Sequence, residues 1–248
     1  MIAQACFKKL AKLQREAKDH DNWTIVKSAR DDITRFKRTM PLITDLKNPA
    51  MRDRHWFQIK EHVGRPFEHE TDEFTLEKII ELKLEEHSEE VSEISGAASK
   101  ELAIEQALQQ LEEVWSDVAL EIGPYKDRGH FILKAPDDLF TQLEDNQVTL
   151  GTMKASRFVK AFEKTVDYWE RALSLIMETI EMILQVQRQW MYLENIFLGE
   201  DIRKQLPKES AEFDGLNADW KEIMTELNKD PNARFISITC ENIFQILT

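Results

Sequence analysis

The sequence predicts an all-α fold, an elongated multi-helix bundle with one very long helix and a small β-hairpin. Three observations carry that expectation. The 248 residues include only 7 Gly and 7 Pro while 32% are charged, a composition of charge-covered helices rather than of a turn-rich β protein. Phe162, Trp169, Ile176, Ile183, Trp190 and Phe197 recur every seven residues, with Val166, Leu173 and Ile180 between them, which is a heptad seam. Only near 118–134 does the period change. There Val118, Leu120 and Ile122 alternate, GPYKDRG supplies turn residues and HFILK follows, as in a β-hairpin.

Taken in order, residues 2–18 read as an amphipathic helix and 22–47 as a second, which Pro41 should kink or divide. Asn48 and Pro49 are expected as N-cap and first-turn proline of a third helix, closed by Gly64 and Pro66. RPFEHETDEFT (65–75) reads as a loop and TLEKIIEL as a short helix. Residues 88–95 and the stretch from Ala98 to Val118 continue helically, with Gly96 a break between them. Ile104, Leu108, Leu111 and Trp115 form the inner face of that stretch. After the hairpin, Pro136 opens a helix to about Asn146, and Gly151 lies near the start of the next.

From about Arg157 to Leu198 the pattern stays helical, on the order of 60 Å at 1.5 Å per residue, so a rod is expected. In its final turns, VQRQWMYLENIF (186–197), Val186, Trp190, Leu193 and Phe197 share one stripe. Gln187 and Glu194 take over the earlier seam positions, which predicts that the buried stripe rotates there toward a new packing partner. Gly199 ends the helix, EDIRKQL makes a short turn, and Pro207 starts a last helix packed through Phe213, Leu216, Trp220, Ile223 and Leu227.

The net charge of −13 is uneven: +7 over residues 1–65, −14 over 66–125 and −6 thereafter. Three segments follow: basic N-terminal helices (1–65), acidic helices with the hairpin (66–134) and a long-helix bundle (135–248). The basic end lacks an Arg-rich recognition helix and interleaved stacking aromatics, so nucleic acid is not an expected partner. No segment is long and uncharged enough for a membrane span, and Lys8 and Lys9 stand where a signal peptide needs its apolar centre. Cys6 and Cys240 lie far apart without a zinc or disulfide pattern. A soluble protein of a reducing, intracellular compartment is expected.

Chemistry is not visible in the motifs. SGAASKEL (95–102) superficially suggests a phosphate loop, but Ser99 rather than Gly precedes Lys100 and Glu101 follows it. Ser95 or Ser99 is expected instead as a helix cap. His55, His62 and His69 are seven residues apart; successive ones on a helix would lie about 10 Å apart, too far to share a metal. The acidic run Glu85, Glu86, Glu89, Glu90 and Glu93 lies on one helical stretch, most of it facing water. No catalytic, cofactor-binding or metal residue is expected.

Four segments carry a resemblance: MRDRHW (51–56), SGAASKELAIEQALQQLEEVW (95–115), LEDNQVTLGTMKASRFV (143–159) and QRQWMYLENIFLGEDIRKQLPKESAEF (187–213). Together they resemble the linker region of dynein heavy chains, most closely the axonemal ones, in collinear order over roughly residues 45–230. The resemblance implies a mechanical role. In that family the linker is an arch of helical bundles across a ring of AAA+ modules, bent and straightened by nucleotide-driven ring motion that moves cargo along a microtubule. It implies that Trp56, Trp115, Glu194 and Asp201 are linker-motif residues and that Phe162, Trp169, Ile176, Ile183, Trp190, Leu193 and Phe197 form a structural seam.

The implied partners are the AAA+ ring of the same heavy chain and, indirectly, other dynein subunits, with no direct microtubule contact. The implied place is the cytoplasm and cytoskeleton, in the axoneme of a cilium or flagellum. Residues 1–44 resemble the family more loosely. ARFISITCENIFQILT (233–248) departs from the expected continuation into an AAA+ module, so a truncated product or an alternative C-terminus is expected. That stop and the charge asymmetry support a second reading, a stand-alone helical scaffold for protein–protein interaction.

Overall fold

Apolar spacing of three and four residues builds nearly every element of the structure, a computed structural model that describes residues 8, 9, 12, 24–126, 129–134 and 136–232. The helices are α1 (Thr24–Leu46), α2 (Asp53–Val63), α3 (Leu76–Glu81), α4 (Ser88–Asp117), α5 (Asp137–Lys154), α6 (Glu163–Phe197), α7 (Glu200–Gln205) and α8 (Pro207–Lys229). Strands β1 (Ile122–Tyr125) and β2 (His130–Leu133) pair antiparallel, with Ile122 opposite Leu133 and Tyr125 opposite His130. The all-α reading with one long helix and one hairpin is therefore correct. Of the helix expected at 2–18, Lys8, Lys9 and Lys12 are helical, and the remainder lies outside the described residues, as does 233–248.

The chain packs as two units, residues 1–103 and 104–248, whose boundary falls within α4. In the first, Leu42 and Leu46 of α1, Trp56 and Ile59 of α2, and Val91 and Ile94 of α4 close over Leu84, which is fully buried in a short 3-10 turn (Leu84–His87). Pro41 does not divide α1. It withholds one amide from the carbonyl four residues earlier, yet Leu42 and Leu46 just beyond it are buried. Asn48 and Pro49 do not begin α2 either; the helix starts at Asp53, with Arg52 at the cap position and Gly64 closing it at φ +66°, a left-handed conformation that suits glycine. Gly96 leaves α4 unbroken. Its propensity cost of about 1 kcal/mol is set against burial of Val91, Ile94 and Ala98 around it.

In the second unit, Ile104, Leu108, Leu111 and Trp115 of α4 belong to a core shared with the hairpin, α5, α6 and α8. The hairpin begins at Ile122, so Gly123, Pro124 and Tyr125 are strand rather than turn residues. Pro124, which cannot donate to a ladder, is tolerated in this two-stranded edge position. Lys126 and Gly129 both take positive φ, 51° and 71°, and reverse the chain. α5 runs on to Lys154 with Gly151 inside it, and a 3-10 turn (Val159–Ala161) precedes α6. In α8, Leu216 is 58% exposed while Met224 is fully buried, so the apolar stripe turns away from Leu216.

Candidate functional site

The long helix α6 has 35 residues and so a length of about 52 Å. In its first half Val166, Trp169, Leu173, Ile176, Ile180 and Ile183 are buried, and Phe162, just ahead of the helix, is half-buried. Thr179 is buried too, its hydroxyl donating to the Leu175 carbonyl at 2.7 Å. Its last turns depart from expectation. The stripe does not rotate: Gln187 is 7% exposed and Glu194 6%, whereas Val186 and Leu193 are half-buried. The seam positions continue inward, now carrying polar side chains.

Each of those side chains meets a partner distant in sequence. Gln187 Oε1 accepts the Leu133 N–H at 2.8 Å and Gln187 Nε2 donates to the Leu133 carbonyl at 3.0 Å. Lys134 N–H bonds across to the Glu121 carbonyl, so the polar groups of Leu133 point away from β1, where a third strand would otherwise take them. The amide of Gln187 stands in for that strand and satisfies both groups, which could not be left unpaired in the interior.

Trp190 lies one turn on. Its ring packs against Tyr125 (5.4 Å), His130 (6.2 Å) and Trp220 (5.9 Å), and its Nε1–H donates to Asn217 Oδ1 at 3.0 Å. Glu194 receives Lys126 from the turn of the hairpin at 3.4 Å, and the same ammonium donates to Asn195 Oδ1 at 2.8 Å. Phe197 stacks on Phe213 of α8 at 4.9 Å. Beyond it, Arg203 Nε donates to the Phe197 carbonyl at 2.7 Å, and its guanidinium grips Asp214 at 3.0 and 2.8 Å. That cation serves the negative end of α6. The Asp214 carboxyl is held below its usual range by the Arg203 hydrogen bond. Asp201, in contrast, is exposed.

A second set of fasteners lies in the first unit. Asn48 Oδ1 accepts the Ala50 N–H, while its Nδ2 reaches Ser95 Oγ (2.9 Å), the Ser95 carbonyl (2.9 Å) and Ser99 Oγ (2.8 Å). Ser95 is buried inside α4 and donates to the Asp45 carbonyl at 3.1 Å. Neither serine caps a helix, and the SGAASKEL stretch is helix interior. His55, 1% exposed, accepts the Arg52 N–H on Nδ1 at 3.0 Å and meets Glu101 Oε2 through Nε2 at 3.1 Å. Glu101 is also gripped by the Arg54 guanidinium. Burial lowers the His55 imidazole below its ordinary value, against the opposing pull of Glu101. Trp56 beside it is buried, stacked on His69 at 4.2 Å.

The three histidines do not converge. His69 instead approaches Asp53 and Glu70, with one ligand atom from each within 4.8 Å of the others. Both carboxylates are exposed and Asp53 opens α2, where a helix N-terminus favours an anion over a cation; no metal is assigned to them. In the acidic run Glu86, Glu89 and Glu93 are exposed and Glu85 and Glu90 half-buried. Among the described residues no helix is long and apolar enough to cross a membrane.

Sequence reasoning missed His55, Gln187, Lys126 and Asn217 as fasteners. Only Gln187 left a signal, a polar residue at a heptad position flanked by buried neighbours. These contacts define a class, a mainly helical segment whose buried polar groups fasten its own elements to one another. The chain belongs to the dynein heavy chain family: the description "Dynein heavy chain, N-terminal region 2" matches residues 1–248. It is 60% identical over 232 residues to dynein axonemal heavy chain 2 of Mus musculus and 60% identical over 231 residues to that of Homo sapiens, covering 94% and 93% of this chain. Similarity extends to the Dynein-1-beta heavy chain of the flagellar inner arm I1 complex of Chlamydomonas reinhardtii, 49% identical over 226 residues and 91% of this chain. The chain spans 5% of the length of each of these relatives.

Proposed function

We propose that this chain is linker material of an axonemal dynein heavy chain, a lever N-terminal to the AAA+ ring in an ATP-driven microtubule motor of the ciliary or flagellar axoneme. It supplies no catalytic group. Segments 1–65, 66–134 and 135–248 act together as one linker-like region without an AAA+ module. Its partner is the ring of the same heavy chain, and other dynein subunits are reached indirectly; nucleic acid, membrane and the microtubule itself are not contacted. The observation that supports a lever most is α6, 35 residues without interruption and fastened at its C-terminal half to both the hairpin and α8 by directional contacts. A member that transmits displacement must resist bending and slippage.

The test is made in the complete heavy chain. Ile180 is fully buried near the middle of α6, where proline deletes a backbone hydrogen bond and clashes with the preceding turn, a cost of roughly 3 kcal/mol or more. Ile180→Pro should leave nucleotide binding nearly intact while microtubule gliding slows far more than ATP turnover. Ile180→Ala removes the side chain but keeps the helix, and serves as control. A well-folded proline variant that still glides at the parental speed per ATP consumed would replace the lever with the interaction-scaffold reading.

A further inference from the structure

We infer that His55 is a proton-operated latch between the first turn of α2 and α4, closed while the imidazole is neutral and released when it takes a second proton. The hydrogen bonds define the closed state. Nδ1 accepts the Arg52 N–H at 3.0 Å, so it carries no proton, and the single ring proton resides on Nε2, which donates to Glu101 Oε2 at 3.1 Å. One buried ring thus satisfies a helix-start amide and ties that turn to a carboxylate 46 residues away.

Protonation at Nδ1 removes the lone pair that accepts the Arg52 N–H and sets two donors against each other. It also places a cation within a ring that is 1% exposed. The charged groups that act on the ring are Arg52 just ahead of α2 and Arg54 within it, which oppose the imidazolium, and Glu101 from α4, which favours it. Burial, the largest influence, opposes it as well. The sign follows. An opened, solvated His55 titrates near its ordinary value of 6.5, above its value in the closed fold, so the open form binds more protons and gains population as pH falls below that value. One proton can raise the opening equilibrium by about tenfold per pH unit at most. Above it the latch stays shut.

The test uses the 248-residue chain and reads hydrogen exchange at the Arg52 amide, corrected for the intrinsic pH dependence of exchange, between pH 7.5 and 5.0. Protection should hold above about pH 6.5 and fall below it. In His55→Asn, whose Oδ1 can accept the same amide but cannot titrate, protection should be independent of pH. Glu101→Gln, which removes the charge favouring the imidazolium in the closed fold, should leave the onset of the loss near about pH 6.5 and make the loss at about pH 5.0 larger. If the asparagine variant does not fold, ring nitrogen chemical shifts of the unsubstituted chain still decide: an Nε2–H tautomer at pH 7.5 that protonates as Arg52 loses protection supports the latch. Protection that is flat across the range, an Nδ1–H tautomer, or an equal loss in His55→Asn would overturn it.

Discussion

The two halves of α6 share one spacing and differ in what fills it. From Val166 to Ile183 the buried positions are mainly apolar, and burial of that kind is favourable but has no direction. From Gln187 to Phe197 the same face carries Gln, Trp, Glu and Phe, and the first three of these hold a hydrogen bond or ion pair to a partner elsewhere in the fold. An apolar ridge would retain much of its burial if a neighbour moved by a turn. The amide of Gln187 would not, because its donor and acceptor must meet the carbonyl and N–H of one residue, Leu133. The first half supplies adhesion and the second supplies register.

Substitutions can break or sharpen this contrast. The largest effect is expected for Trp190→Ala, which removes a ring shared by the hairpin and α8 and leaves Asn217 Oδ1 without its donor; the expected loss is about 3–5 kcal/mol, read from chemical denaturation. Gln187→Met keeps the length of the side chain but neither hydrogen bond. Two buried backbone groups then lose their partners, for roughly 2–4 kcal/mol, and hydrogen exchange should accelerate at Leu133 before it does in α5.

In the apolar half Ile180→Val should cost only about 0.5–1.5 kcal/mol, with no change in the hairpin's protection. If Gln187→Met proves as mild as Ile180→Val, the distinction between adhesion and register collapses. The smallest effect is expected at Asp214. Its carboxyl is lowered by the Arg203 hydrogen bond, so its contribution is present above the ordinary carboxylate range and lost as pH falls through the lowered value. Asp214→Asn should lower stability slightly near neutral pH and converge with the parent in acid, so that the acid limb flattens; an unaltered acid limb would show that the exposed pair contributes nothing.

Much of this fold was legible because helices announce themselves locally. The sevenfold recurrence from Phe162 to Phe197 and the face formed by Ile104, Leu108, Leu111 and Trp115 are properties of neighbouring residues, and periodicity reads them directly. Punctuation was less legible. Pro41 reads as a kink or division, Gly96 as a break and Gly151 as the neighbourhood of a helix start, yet all three sit inside helices, because a local cost of about 1–3 kcal/mol is outweighed when the turns on both sides are buried.

What the sequence alone determined was the class of fold, the long helix, the hairpin and the absence of familiar catalytic motifs. Tertiary structure decided which polar residues matter. Gln187 and Leu133 are 54 residues apart, His55 and Glu101 are 46, and Lys126 and Glu194 are 68. A polar side chain at a seam position reads as an interruption until its partner is known. Desolvating an amide or carboxylate is unfavourable by itself and tolerable once a matching group is placed within hydrogen-bond distance. Only the folded chain brings those groups together, which is why Gln187 and Glu194 look outward in the sequence and face inward in the structure.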